Sequence, residues 1–573
     1  MYCNFKLMQE KWIALSNTTI GQLMATINTS IIIVALPSIF VGIHLNPMQA
    51  SSFPYLLWLI MSYMIVLSVL LVSIGKLSDI FGRVKIFNLG FLIFTIGSIL
   101  LYIAPGTGYT VALELIIFRI VQAVGGAFIM ANTFAIITDN FSPKERGFAI
   151  SINSVAAVSG VSIGVVLGGI LSTIYWRDIF LISIPIGVFG TLWSFLKLKD
   201  VRERAARHID IPGNILFAVG LIILLLGVTY GITPYRNNPM GWTNPLVISA
   251  LAIGAIMLVL FPFVENRVKG PMFDMRLFKS RNFSISIFTA FVSAMTMMGL
   301  MYMLTLIFQG IWLPIRGYRY AVTPLWAGIY MLPLPIFMGI LGVLSSKLAE
   351  RFDARWLTTI GLFISGFALL ALVTLTYNFS YVFLAIVISI FGIGYGIFNV
   401  PNLTVAMSSV PADERGATSG ILNTMRNTGY AASIGAFFSI LLLGLSLTYP
   451  GSITHGLTAE NAGSLVQYFN NIPPTEILFS TFLGLNTVKD VISTIPTSVV
   501  SGLPSGVMDT ISGNIWFPET IATAFMTSMH DVFYVGFGAS IIAGIASLFR
   551  TPSGDNGEAK VGGNNASRNN RSK

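Results

Sequence analysis

The sequence predicts an all-α integral membrane protein with 14 transmembrane helices, built as two six-helix halves plus two inserted helices. Composition, long uncharged runs and an internal repeat predict this fold. Of the 573 residues, 54% are hydrophobic and 10% are charged, whereas soluble domains carry about 25% charged residues. The net charge of +10 lies mainly in short loops between apolar runs, where basic residues set orientation and meet the lipid bilayer. Nucleic acid is therefore not an expected partner.

A helix needs about 20 apolar residues to cross a bilayer. Fourteen runs meet this requirement, near residues 15–42, 54–75, 84–104, 110–138, 147–172, 178–197, 213–232, 245–264, 283–310, 322–346, 356–377, 381–408, 417–446 and 524–549. Of the 33 Lys and Arg residues, 26 fall in the two terminal segments and alternate loops, and only five fall in the other loops. This asymmetry predicts a multi-pass plasma-membrane protein with both termini in the cytoplasm.

A charged segment, residues 75–85 with sequence GKLSDIFGRVK, separates the second and third runs. We expect it to be a short cytoplasmic loop. Asp79 and Arg83 are four residues apart and can pair on a helical turn. With Gly75 and Gly82, the pattern resembles the loop between helices 2 and 3 of the major facilitator superfamily of transporters. The resemblance implies a conformational latch, and the alternative is a generic positively charged loop.

The first and fourth runs carry the candidate substrate and coupling residues. The sequence VALP at 34–37 resembles the first helix of the fourteen-span drug:proton antiporter branch of that superfamily, in which an Asp stands where this chain has Asn28. In the fourth run, Arg119 and Gln122 match the R-x-x-Q-x-x-G motif that the family associates with proton transfer or substrate contact. The alternative is a structural arginine bonded to neighbouring carbonyls. A charge near the bilayer midplane is costly, so we expect both side chains to line a central cavity.

Glu114 is the only carboxylate well inside a run, and we expect it to carry the coupling proton. The alternative is a carboxylate at the outer boundary that pairs with Arg119 or with another helix. An amide such as Asn28 cannot take over this role, because it does not titrate.

The fifth run carries small residues at helical spacing, Gly160, Gly164, Gly168 and Gly169. Small residues four apart let another helix backbone come close, so these glycines are predicted to pack helices. The next segment, WRDIF at 176–180, is similar to the start of helix 6 in the fourteen-span branch.

The chain contains a repeat. SKLAERFDAR at 346–355 echoes GKLSDIFGRV at an offset of 271 residues, and ERG at 145–147 recurs at 414–416. We therefore divide the chain into a six-helix half (1–200), two inserted helices with linkers (201–282), a second half (283–549) that includes an outer loop (447–523), and a disordered cytoplasmic tail (550–573). In the superfamily such halves alternate access to a site at their interface.

The resemblance implies a monomeric secondary transporter that exports hydrophobic drug-like small molecules, with protons as the coupling ion. Two alternatives stay open: a carrier of a specific metabolite or lipid-like molecule, and a membrane sensor or scaffold without transport. Five methionines between 295 and 303 suit an adaptable cavity wall, or equally a lipid-facing helix. One cysteine and four scattered histidines predict neither a metal site nor a cofactor, and no catalytic residues are expected.

Overall fold

The structure is a computed structural model. It describes residues 2–45, 52–200, 210–236, 238, 240–268, 271, 275–349, 351–411, 415–470, 472–482 and 487–551. The predicted disordered tail beyond residue 551 and the basic stretch 201–209 lie outside these residues.

The described residues form 14 helices that are long and apolar enough to cross a membrane, as predicted. They are α1 (Glu10–Gly42), α2 (Leu57–Phe81), α3 (Arg83–Ile103), α4 (Gly108–Asn140), α5 (Glu145–Ile174), α6 (Asp178–Lys197), α7 (Pro212–Gly231), α8 (Pro245–Glu265), α9 (Arg281–Ile315), α10 (Thr323–Leu348), α11 (Ala354–Leu372), α12 (Tyr381–Ser408), α13 (Ala417–Ala459) and α14 (Trp516–Leu548).

The charged segment 75–85 is helical, and the prediction of a loop there was wrong. Helix α2 continues to Phe81, and α3 begins at Arg83. Only Gly82 leaves the helical conformation, with a φ of +106° that an L side chain rarely adopts. Asp79 at the end of α2 and Arg83 at the start of α3 form an ion pair across this break.

The outer loop is shorter than predicted, because α13 does not end near residue 446 but continues to Ala459. Tyr449, Ile453 and Leu457 recur every four residues along the extension and are all buried, so packing overrides the helix-breaking tendency of Pro450. In the described part of the loop there are only short helices, including Pro474–Phe482 and Thr487–Thr494. The expectation that residues 477–500 are not a span is confirmed for the residues described.

The repeat is visible as equivalent close approaches between helices. A Cβ on Gly125 of α4 would lie 2.8 Å from the carbonyl oxygen of Gly90 on α3. A Cβ on Gly394 of α12 would lie 2.6 Å from the carbonyl oxygen of Gly361 on α11. Gly90 and Gly361 are separated by the same 271 residues as the charged segments. The two halves therefore repeat one helix arrangement.

The halves meet along two seams, where α2 packs against α13 and α5 packs against α10. Each seam is the counterpart of the other under the repeat. The inserted helices α7 and α8 pack mainly against each other, and α7 also contacts α2. This arrangement leaves a space between the halves, walled by helices from both.

Candidate functional site

A cavity lies between the two halves. The first half contributes α1, α4 and α5 to its wall, and the second half contributes α9, α10, α12 and α13. Much of the apolar lining is methionine: Met130, Met297, Met298, Met301 and Met338. Unbranched, polarizable methionines adapt to ligands of different shape. Three of the five methionines predicted on α9 therefore lie in the cavity wall.

The polar part of the cavity wall has one charged residue, Arg426 of α13. Tyr395 and Tyr430, whose hydroxyls interact electrostatically with its guanidinium, line the same cavity. Five carboxamides share the lining: Gln22, Asn153, Asn399, Asn423 and Asn427. The Asn423 and Asn427 positions are four residues apart and flank Arg426, so α13 presents one polar face to the cavity. The site offers one fixed positive charge and many hydrogen-bonding groups.

Asn28, Arg119 and Gln122 lie together in one buried network in the first half. Arg119 donates from Nη1 to Oδ1 of Asn28 and, at 3.0 Å, to Oε1 of Gln122. Gln122 in turn donates to Oγ of Ser98 at 2.8 Å. The guanidinium carbon lies 4.5 Å from the ring centroid of Tyr63, within the range of a cation–π contact. The structure therefore joins three of the four predicted candidates.

None of these three residues belongs to the cavity wall as described, contrary to the expectation for Arg119 and Gln122. Arg119 is only 2% exposed, and Gln122 is fully buried. Asn28 and Gln122 accept from Nη1 and the Tyr63 ring covers the guanidinium, which separates it from the cavity, while its Nε is buried without a hydrogen-bond partner among the described residues. A role in substrate contact or coupling stays a prediction for this network.

Glu114 stands apart from the network. It is half-buried on α4, and its Oε2 atom is buried with no hydrogen-bond partner among the described residues. The ion pairs of the described chain do not include one between Glu114 and Arg119. Among the described ion pairs, Glu114 is therefore not paired with Arg119, one of the two partners that the alternative allowed.

The candidate latch residues form a cluster centred on Arg83. Its Nη2 lies 2.7 Å from Oδ1 of Asp79, and its Nη1 lies 2.6 Å from Oδ2 of Asp139 at the end of α4. Gly75 is buried one turn before Asp79. Gly82 packs against Asp200, whose Oδ1 accepts from the backbone N–H of Val84 at 3.0 Å. One arginine thus ties α2 and α3 to α4.

The predicted packing glycines of α5 face two different helices. A Cβ on Gly160, Gly164 or Gly168 would meet backbone atoms of α1, whereas a Cβ on Gly169 would lie 2.6 Å from Cα of Leu325 on α10. The stripe therefore lies at one contact inside the first half and at one seam between the halves.

Sequence reasoning missed Arg426 as a cavity residue and Asp139 as the second partner of Arg83. A signal existed for Arg426, because the segment NTMRNTGY at 423–430 is unusually polar for a membrane span. For Asp139 the sequence held no specific signal, since an acid at a span end is ordinary.

Comparison with known proteins agrees with this architecture. The sequence profile of the Major Facilitator Superfamily matches residues 18–436. The riboflavin transporter RibZ of Clostridioides difficile (strain 630) is 29% identical over 444 residues, which cover 77% of this chain and 90% of that protein. The multidrug resistance protein Stp of Mycobacterium tuberculosis (strain CDC 1551 / Oshkosh) is 27% identical over 529 residues, which cover 88% and 92% of the two chains.

Among solved structures, a bacterial homolog to the human lysosomal transporter Spinster, in an inward-facing and unoccupied conformation, aligns with a TM-score of 0.53. It is 17% identical and covers 94% of this chain and 98% of its own. At this identity the likeness concerns the fold. The resemblance to transporters, and to their multidrug-resistance branch, is confirmed by these findings.

Proposed function

The chain belongs to the major facilitator superfamily, and on that premise we propose that it exports hydrophobic drug-like molecules by alternating access of its central cavity. It is a multi-pass membrane protein and a secondary transporter by family. The observation that carries the proposal of drug export is the cavity between the halves, whose methionine-rich wall suits ligands of varied shape. The relative Stp, a multidrug resistance protein, supports the same proposal.

Uptake of a labelled drug into inverted membrane vesicles tests this function. Vesicles that contain the chain should accumulate the drug only with an imposed proton gradient, and collapse of the gradient should abolish accumulation. Equal accumulation in vesicles without the chain would refute export. Accumulation that survives collapse of the gradient would keep transport and refute proton coupling.

We propose Glu114 as the group that carries the coupling proton. It is a carboxylate in a membrane-spanning helix with one oxygen unpartnered among the described residues, whereas Asn28, at the position of the family's first-helix Asp, cannot titrate. Glu114→Gln should lose gradient-driven efflux but keep substrate exchange without a gradient. Glu519→Gln, which changes an exposed carboxylate at the start of α14, is the matched control and should keep both. Normal gradient-driven efflux in Glu114→Gln would refute the assignment.

The orientation proposed is both termini in the cytoplasm, with the Arg83 cluster on the cytoplasmic side. The distribution of basic residues supports it. Reporter fusions after residues 208, 480 and 560 should report inside, outside and inside. An inside signal at 480 would refute this topology.

A carrier of one metabolite is the second candidate, favoured by the likeness to the riboflavin transporter RibZ. Competition separates the two. A drug exporter should be inhibited by several chemically unrelated compounds, whereas a specific carrier should be inhibited only by close analogues of its substrate.

A further inference from the structure

We propose that the central cavity selects ligands with an anionic or carbonyl-rich head and an apolar body, and that Arg426 excludes cations from it. This inference rests on the proposed function and names the chemical class of its substrate. The observation behind it is the charge of the cavity wall. In the described part of the chain, the lining contains one arginine and neither Asp nor Glu.

Arg426 is a fixed charge with no compensating carboxylate. The described residues contain no ion pair that involves it, and the groups that interact with it are the hydroxyls of Tyr395 and Tyr430. A charge removed from water is costly unless it is paired. An acidic or carbonyl oxygen on a ligand would supply the missing partner, and the planar guanidinium favours such an oxygen geometrically.

A cationic ligand, in contrast, would be repelled by Arg426. At an effective dielectric constant of about 20, like unit charges several ångströms apart repel strongly enough to lower affinity by at least about tenfold. No carboxylate in the described cavity wall offsets the charge of Arg426.

The remaining lining fits the two ends of such a ligand. Asn423 and Asn427 flank Arg426 on α13 and can donate to further oxygens of the ligand head. Met297 and Met301 on α9, with Met338 on α10, offer an adaptable apolar surface for the ligand body. A flat aromatic acid or a neutral polyketone-like compound therefore fits, and a lipophilic amine does not.

Two xanthene dyes of matched skeleton test the proposal: fluorescein, which is anionic at neutral pH, and rhodamine 123, which is cationic. Binding is measured by fluorescence anisotropy on the purified full-length chain in neutral detergent. Fluorescein should bind at least about tenfold more tightly than rhodamine 123. Equal affinities, tighter binding of rhodamine 123, or binding of neither dye would overturn the proposal.

Variants locate the effect. Arg426→Gln should lower fluorescein affinity about tenfold or more, and Arg426→Lys should restore most of it because the charge returns. Arg316→Gln, which changes an arginine outside the cavity wall, is the matched control and should bind like the parent chain. Fluorescein affinity unchanged in a monodisperse Arg426→Gln variant would overturn the role of Arg426. If that variant does not fold, the dye comparison on the parent chain still decides the charge class. Because binding is measured without a gradient, failure of transport in vesicles is a separate result.

Discussion

Gly164→Ala tests how closely α1 and α5 approach. A Cβ at this position would lie 2.6 Å from the carbonyl oxygen of Ile27 and 3.0 Å from its Cα. Both are backbone atoms of α1, so they cannot rotate away as a side chain could. Overpacking of this kind costs about 1–3 kcal/mol. We expect Gly164→Ala to lower the free energy of unfolding by about that amount, reduced by the gain in helix propensity.

Gly147→Ala is the matched control on the same helix, because no heavy atom lies within 4 Å of a Cβ there. Its expected effect is the gain of about 0.5–1 kcal/mol from replacing Gly by Ala in a helix. Because both variants gain helix propensity, they should differ by the overpacking cost alone, about 1–3 kcal/mol, with Gly164→Ala the less stable.

The measurement is unfolding of the purified chain in mild detergent, followed by far-UV circular dichroism at increasing denaturant. Equal unfolding midpoints for Gly164→Ala and Gly147→Ala would refute the reasoning, because the contact with Ile27 would then not destabilise the Gly164→Ala variant. A drop in Gly164→Ala alone would support the close approach of α1 and α5.

Three further predictions follow from the site and the outer loop. Asp139→Asn removes one of the two carboxylates that pair with Arg83 and should weaken this cluster by about 1.5–3 kcal/mol. The expected result is greater accessibility of cysteines placed at the cytoplasmic end of the cavity. Unchanged accessibility would contradict the latch. Arg119→Lys keeps the charge but loses the planar guanidinium that can bond two acceptors at once, so transport at equal expression should fall about tenfold. Full transport activity in both Arg119→Lys and Arg119→Ala would show that this arginine has only a structural role. Burial raises the pKa of Glu476 from 4.5 to about 7. Between pH 4.5 and 7 the folded state therefore keeps a proton that the unfolded state has lost. The free energy of unfolding should fall as pH rises from 4.5 to 7 and then level off. Glu476→Gln should abolish that pH dependence in thermal unfolding, and an identical pH profile in the variant would refute the assignment.

The sequence by itself determined the number of membrane-spanning helices and the duplication. Both can be read from the sequence, because a bilayer requires an uninterrupted apolar helix for each crossing. Gly125 and Gly394 occupy equivalent positions in the two copies, so the repeat offsets of 271 and 269 residues predicted one helix arrangement used twice. Helix ends were less predictable, as the extension of α13 through Pro450 shows.

Only the tertiary structure decided which intramembrane arginine faces the cavity. Arg119 and Arg426 are each the single cation of a membrane span, and the polar residues around Arg426 indicate a polar helix face without indicating what that face contacts. The outcome depends on how each helix is rotated and on its neighbours: Asn28 and Tyr63 enclose Arg119, whereas Arg426 lies in the cavity wall with Tyr395 and Tyr430. Those partners come from helices far apart in the chain, and no local pattern encodes helix rotation. For the same reason the sequence did not predict the contact between Asp139 and Arg83, which are 56 residues apart in the chain.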